Sequence, residues 1–273
     1  MADFSIKLVA DSNDQAAFLA VPAYVYRNNP HWVAPLESSV AQQFSDENAF
    51  FQYGHLAQFV AWQGDQPVGR VVAAVNKRLI EQEGRSVGLM GFFECIHNHG
   101  IAGALLDRAT QWLQQQGMTI ARGPIDLSTH NNCCFLADGF DSDPMLMMPY
   151  SPQYYLEAMD ANGWYKAKDA YAYDLPLDKP LPDSFERGYK IAQKAGITFR
   201  TIHTKGEPFE QDCRHIYELF TTAFSHNWSS SARTEAEFLA DARELQTLVD
   251  TDIFVIAEDP KKESDNKMVG FFM

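Results

Sequence analysis

The sequence has few basic residues: 22 lysines and arginines stand against 36 aspartates and glutamates in a chain of 273 residues. The formal net charge is −14 at pH 7. Nucleic-acid-binding proteins usually carry a basic surface, and anionic membranes attract basic segments. We therefore expect neither a nucleic-acid partner nor a membrane partner. Any phosphate-bearing ligand has to be held by local groups.

Long apolar runs are also missing. No stretch approaches the ~20 apolar residues of a membrane span, and residues 1–15 lack the basic and apolar regions of a signal peptide. The cysteines form no CxxC pair, so reduced thiols are expected, without a disulfide or a metal; they are Cys95, Cys133, Cys134 and Cys213. These absences predict a cytoplasmic protein.

The chain contains enough apolar residues to form a core: 46% of its residues are hydrophobic and 13% are aromatic. The length suits one large domain or two smaller ones. The proline-rich segment PLDKPLP at residues 176–182 is the best candidate boundary. We predict a first domain over residues 1–175, a linker and helix over 176–196, and a second domain over 197–273.

An internal repeat supports this division. FVAW at residues 59–62, a polar turn and VGRV at 68–71 resemble FVIA at 254–257, a polar turn and VGFF at 269–272. The alternative is a chance likeness between two apolar hairpins. If the likeness is a repeat, the second copy contains only the elements of the first part of the first copy. The edge of its sheet is then open, which is compatible with pairing in a homodimer.

The first copy, in the domain predicted over residues 1–175, is predicted to consist of strands and helices. Residues 87–96 (VGLMGFFECI) are nearly all apolar until Glu94, which predicts a central strand buried on both faces. A helix is predicted over 104–116 from one apolar stripe, a strand over 119–127, a helix closing at residues 162–163, and a strand over 165–175. Residues 77–85 are predicted to be a charged loop.

This order of elements resembles the GNAT N-acetyltransferase superfamily. The family's motif Q/R-x-x-G-x-G/A follows its central strand, and HNHGIA at residues 97–102 stands there, with His97 in place of Gln or Arg. GFFE at 91–94, GP at 123–124 and GW at 163–164 also look like a poorly characterised branch of it. The resemblance implies an α/β (α+β) fold: a mixed, mostly antiparallel sheet flanked by helices, with a partial second copy in tandem.

The resemblance further implies an enzyme that transfers an acetyl group from acetyl-CoA directly to an amine of a small molecule or peptide, without a metal. A helix N-terminus offers unpaired N–H groups to the CoA pyrophosphate, and Gly100 and Gly103 let the backbone approach it. Alternatively, these glycines only serve a tight turn. The expected cofactor-binding residues are Cys95, Ile96, His97, Asn98, His99, Gly100, Ile101, Ala102 and Gly103.

Glu94 is the predicted general base, because it is the only ionisable residue of an apolar strand and burial would tune its pKa. The alternative is a structural carboxylate bonded to the backbone or to an arginine such as Arg122. The family's usual tyrosine acid is replaced by Met159, so Tyr155, one turn earlier, is the predicted acid; otherwise it is a core residue.

Ser128, Asn131 and Asn132 are the predicted substrate-binding residues, and the alternative is a solvated turn. Two other classes of function stay open. One is a module that binds CoA, or is merely structural, without catalysis, which the missing tyrosine favours. The other is a metal-dependent hydrolase with ligands drawn from four residues, namely His97, His99, His130 and Asp126.

Overall fold

The computed structural model describes residues 3–145 and 148–273. The chain divides into two compact units. The first unit runs up to Ala170 and includes Ser229–Ser231, and the second comprises Tyr171–Trp228 and Ala232–Met273. The predicted linker over residues 176–196 therefore lies inside the second unit.

The first unit contains a five-stranded sheet in the order β1-β2-β3-β4-β5. All neighbouring strands are antiparallel except β4 and β5, which are parallel. A tight turn with Gly64 at φ 60° joins β2 to β3, as expected for a hairpin. The strands are β1 Ser5–Leu8, β2 Gly54–Gln63, β3 Gln66–Asn76, β4 Val87–Cys95 and β5 Ile120–Arg122.

Helices cover both faces of this sheet. The helices of the first unit are α1 Ser12–Val25, α2 Glu37–Gln42, α3 Lys77–Glu83, α4 His99–Gln115 and α5 Tyr154–Ala161, with a 3-10 turn at Ala49–Gln52. Successive residues of a strand point to opposite faces. Val71 and Ala73 of β3 accordingly lie in the core that α4 helps to form, whereas Arg70 lies over Phe18 of α1. Coverage on both faces explains why β3 and β4 are almost wholly buried.

Two elements predicted within residues 1–175 are wrong, and a third, the strand predicted over 119–127, is reduced to Ile120–Arg122. The charged loop over residues 77–85 is helix α3, because the Asn76 side chain caps it at the Leu79 amide and Gly84, in the left-handed region, closes it. The strand predicted over 165–175 has no regular structure. Its alternating aromatic residues, including Tyr171 and Tyr173, are exposed instead of facing a core.

The second unit contains a three-stranded antiparallel sheet in the order β6-β7-β8. The sheet packs with α7 and α8 around a small core that includes Phe209, Ile216 and Ile256. Across residues 3–145 and 148–273, no helix has the length and apolar character needed to cross a bilayer. The elements are α6 Asp183–Ala195, β6 Thr198–Thr201, α7 Gly206–Phe224, α8 Glu235–Leu245, a 3-10 turn at Gln246–Leu248, β7 Val255–Glu258 and β8 Met268–Phe272.

Candidate functional site

The central strand β4 separates from β5 halfway along its length. The two strands pair only where residues 87–89 lie opposite residues 120–122. The Ile125 amide then donates to the Met90 carbonyl at 2.8 Å, and the chain leaves the sheet. In the described part of the chain, the second half of β4 therefore has no strand partner on this side. A strand edge without a strand partner therefore lies next to the start of α4.

A β-bulge lies in the open half of β4. Glu94 is opposite Arg70, but Gly91 is opposite Val72, so β4 contains one extra residue. Phe92 adopts φ 47°, which is uncommon for an aromatic residue and costs about 1–3 kcal/mol. Its amide donates to Oδ1 of Asp126 at 2.6 Å. A side chain, and not a strand, thus satisfies the backbone of the bulge.

Gly91 permits the close approach of the segment that carries Asp126. A Cβ atom on Gly91 would lie 2.4 Å from the Ile125 carbonyl oxygen and 2.7 Å from Oδ1 of Asp126. Both distances are below any normal van der Waals contact, and the first involves backbone that cannot rotate away. The sequence alone gives no sign of this contact.

Replacing Gly91 by alanine should therefore destabilise the first unit by about 2–3 kcal/mol, within the range for overpacked cores. Chemical unfolding monitored by circular dichroism measures the change. Gly188→Ala is the matched control: nothing lies within 4 Å of its Cβ, and alanine favours a helix interior over glycine by about 1 kcal/mol. Equal stability of Gly91→Ala and the parent protein would contradict the close approach.

Asp126 is a buried carboxyl group at the open edge, with 7% of its surface exposed. Burial raises its pKa to about 7, and the charge of Glu94 acts in the same direction. The Phe92 amide, the Arg70 guanidinium and the Asn132 side chain act in the opposite direction and lower it. The group therefore titrates near neutral pH. From the sequence, Asp126 was considered only as a possible metal ligand, and its raised pKa was not predicted.

The predicted substrate-binding residues surround Asp126. The Asn131 side chain donates to the Asp126 carbonyl at 2.7 Å, and the Ser128 amide donates to the same oxygen at 2.8 Å. Asn132 bonds the carboxyl group through its side chain. Asn131 and Asn132 are exposed, whereas Ser128 is buried. The loop thus encloses the carboxyl group and presents two amides to solvent.

Glu94, the predicted base, forms an ion pair. Its Oε2 lies 2.6 Å from Nε of Arg70, and 17% of the Glu94 side chain is exposed. Arg122, the arginine suggested from the sequence as its partner, instead pairs with Glu83, at 2.6 Å. Arg70 also donates to the Phe18 carbonyl at 3.3 Å. Glu94 and Asp126 consequently form a pair of carboxyl groups in different environments.

Two tyrosines of α5 hold the end of β4. The Cys95 amide donates to the Tyr155 hydroxyl at 3.0 Å, and the Tyr154 hydroxyl donates to the Cys95 carbonyl at 2.8 Å. Tyr155 is fully buried and packs edge-on against Phe93, whereas Tyr154 is half-buried and stacks on His97 at 4.5 Å. Burial raises the pKa of both tyrosines, so both phenols keep their proton at neutral pH.

The predicted phosphate loop opens α4. Asn98 caps the helix, and its Oδ1 accepts from the Gly100 amide at 2.9 Å and the Ile101 amide at 3.2 Å. A phosphate would have to displace this side chain to reach those two amides. Gly103 is buried against α5, because a Cβ atom there would lie 2.4 Å from Oδ1 of Asn162. Gly103 therefore permits the close packing of α4 against Asn162.

A shallow crevice nevertheless remains between the loop and α5. Its lining residues are Cys95, Ile96, His97, Asn98, His99, Ala102, Tyr154 and Ala158. The crevice adjoins the open edge of β4 through Cys95. It contains most of the predicted cofactor-binding residues, whereas Gly100, Ile101 and Gly103 lie outside its lining.

The chain has the GNAT fold. A tandem GNAT protein from the clavulanic acid biosynthesis pathway, solved without acetyl-CoA, matches it with a TM-score of 0.51 at 14% identity. The match covers 98% of this chain and 73% of that structure. This confirms the predicted resemblance at the level of the fold, a mixed, mostly antiparallel sheet flanked by helices.

Two curated proteins are similar in sequence. The bacterial ceramide synthase of Caulobacter vibrioides (strain NA1000 / CB15N) is 28% identical over 251 residues, 91% of this chain and 65% of that protein. Protein YghO of Escherichia coli (strain K12) is 28% identical over 258 residues, 93% of this chain and 64% of that protein. The chain spans just under two thirds of the length of these relatives. No protein-family model matches the sequence.

Proposed function

We propose that the chain is an N-acyltransferase that moves an acyl group from a CoA thioester directly to an amine. The observation that carries the proposal is the open half of β4, with its bulge at Phe92, beside the start of α4. The similarity to a bacterial ceramide synthase supports it, because a ceramide is an amide formed between a fatty acyl group and a long-chain amine.

The donor would lie along the open edge of β4, with its phosphates at the crevice beside His97 and His99. Acetyl-CoA is the donor that the GNAT resemblance implies. The ceramide synthase similarity favours a long-chain acyl-CoA and a lipid amine instead. The acceptor would approach over Asn131 and Asn132, whose exposed amides border Asp126.

Asp126 is the group proposed to take the amine's proton, because its pKa of about 7 matches neutral working pH. The ammonium gives one proton to the Asp126 carboxylate, and the nitrogen then attacks the thioester carbon. The C–N bond forms as the C–S bond breaks. Glu94, the base favoured by the sequence, is the alternative; its Oε2 is already bonded to Nε of Arg70 at 2.6 Å.

The leaving thiolate needs a proton, and Tyr154 is proposed to supply it. Tyr154 is half-buried in the crevice and keeps its phenolic proton at neutral pH. The phenolate then takes back the second proton that the nitrogen sheds, so the products are an amide and CoA with a free thiol. Tyr155, the acid favoured by the sequence, is the alternative; it is fully buried and accepts a hydrogen bond from Cys95.

The second unit is proposed to be a partial GNAT-like copy. Its order of β6, α7, α8, β7 and β8 repeats the order of β1, α1, α2, β2 and β3 in the first unit. In both units the later two strands form an antiparallel hairpin next to the first strand. Catalysis is assigned to the first unit, because it contains β4 and the edge at which β4 separates from β5.

The proposed function is tested by incubating the purified chain with an acyl-CoA and an amine. Acetyl-CoA and palmitoyl-CoA are compared, each with a long-chain amino alcohol and with a short water-soluble amine. We expect equal amounts of CoA thiol and amide, measured by thiol titration and mass spectrometry, and only when the amine is present. Thermal stabilisation by acyl-CoA without any amide product would select the non-catalytic CoA-binding module instead.

A further inference from the structure

Three side chains that are typical zinc ligands lie close together at one edge of the crevice, and two of them, His97 and His99, line it. Ligand atoms of His97, His99 and Glu157 all lie within 4.8 Å of one another. His97 immediately precedes the Asn98 cap, His99 is the first residue of α4, and Glu157 lies on α5. Zinc in proteins can bind two histidines and one carboxylate while its remaining coordination positions stay open.

The separation of these atoms fits a metal after small side-chain movements. Two ligands about 2.0–2.1 Å from a tetrahedral zinc are roughly 3.3 Å apart. The three side chains are exposed, and those of His99 and Glu157 can rotate by the remaining distance without disturbing a core. Their backbones are held in place by the Asn98 cap on α4 and by the close packing of Gly103 against Asn162.

A second contact fixes the orientation of one ligand. The His97 ring stacks on Tyr154 with the ring centroids 4.5 Å apart and the planes inclined by 12°. The Tyr154 hydroxyl is itself bonded to the Cys95 carbonyl at the end of β4. Tyr154 and Glu157 are three residues apart on α5, so they lie on one face of that helix. The stacked ring and the carboxylate therefore face the same side.

We propose that His97, His99 and Glu157 form a binding site for one divalent transition-metal ion of the zinc class. This set replaces the hydrolase ligands considered from the sequence: His130 contacts the Ser231 carbonyl, and Asp126 bonds the Phe92 amide. One carboxylate and two neutral imidazoles leave a bound Zn²⁺ with a net positive charge. Its open position therefore favours an anionic fourth ligand, such as a phosphate oxygen.

The test is a titration of the untagged, chelator-stripped protein with Zn²⁺ alone, in competition with a chromophoric chelator. We expect one ion per chain, with binding weakened at least 10-fold in His97→Asn and in Glu157→Gln, since even loss of an outer-shell partner costs about 10–100-fold. Circular dichroism confirms that the variants fold. This readout needs no acyl transfer, so the metal site and the proposed function can fail separately.

The control variants address the other zinc-binding groups of the chain. Cys133 and Cys134 are adjacent, half-buried free thiols, which are also good zinc ligands. The double variant Cys133→Ser/Cys134→Ser and the variant His55→Asn should both bind zinc as the parent does. Loss of binding in the cysteine variant, equal binding in the His97 and Glu157 variants, or no binding by the parent would each overturn the proposal.

Discussion

Replacing Asp126 by asparagine should leave a folded protein that transfers acyl groups about 10²- to 10⁴-fold more slowly, the usual contribution of a general base. Asparagine has almost the same shape, and its Oδ1 can still accept from the Phe92 amide, which lies 2.6 Å from the carboxylate oxygen. The bulge of β4 is thereby kept while the titrating group is lost. The measurement is kcat for amide formation at saturating acyl-CoA.

The control for this variant is Glu94→Gln, which removes the other carboxyl group of the pair. If Asp126 takes the proton, Glu94→Gln should keep most of kcat at neutral pH. It should also move the acid limb of the rate profile to lower pH, because the Glu94 charge raises the pKa of Asp126. The reverse result, with kcat lost in Glu94→Gln and kept in Asp126→Asn, would return the role of base to Glu94.

The same substitution has an expected effect on stability. The pKa of Asp126 is about 7 in the folded protein, and an ordinary aspartate titrates near ~3.9 when unfolded. Between these values the folded state binds the extra proton, so stability falls as pH rises towards 7 and is then constant. The full difference is about 4 kcal/mol. Asp126→Asn should therefore be more stable than the parent at about pH 8, with little gain near pH 4.

Much of the scaffold around these groups is predictable from the sequence because it rests on local patterns. The unbroken apolar run ending at Glu94 predicts β4, and the stripe through Leu105, Leu106 and Leu113 predicts α4. Errors arose where local signals compete. Asn76 and Gly84 are cap residues that also suit turns, and the alternating tyrosines near Tyr171 fit a strand pattern without having a core to face.

The candidate site was less predictable because its key contacts join distant segments. Asp126 acquires its raised pKa only when residues 123–132 fold over β4, which in turn requires the missing side chain of Gly91. Glu157 joins His97 and His99 only through the packing of α5 on α4. Nothing in the spacing of these residues indicates such neighbours. The sequence suggests the loop of Ser128, Asn131 and Asn132 as a substrate-binding segment but gives no sign of its contacts with Asp126.

The second large effect is expected at Arg70, which is 3% exposed and bonds both Glu94 and the Phe18 carbonyl. Replacing it by methionine leaves the Glu94 carboxylate largely buried without its cation. Breaking a buried pair in this way costs about 3–5 kcal/mol. Lys190→Ala is the control, because its pair with Glu186 is exposed on both sides, and such pairs contribute about 0.3–0.5 kcal/mol. Chemical unfolding of the two variants measures the difference.

A double variant separates the ion pair from simple loss of packing. Arg70→Met with Glu94→Gln removes both charges and should recover a large part of the lost stability, whereas pure packing loss would add in the double variant. The rate profile gives an independent check. Arg70 lowers the pKa of Asp126, so Arg70→Met should move the acid limb to higher pH. Glu94→Gln moves it the other way, and shifts of equal sign in both variants would show that Asp126 is not the titrating group.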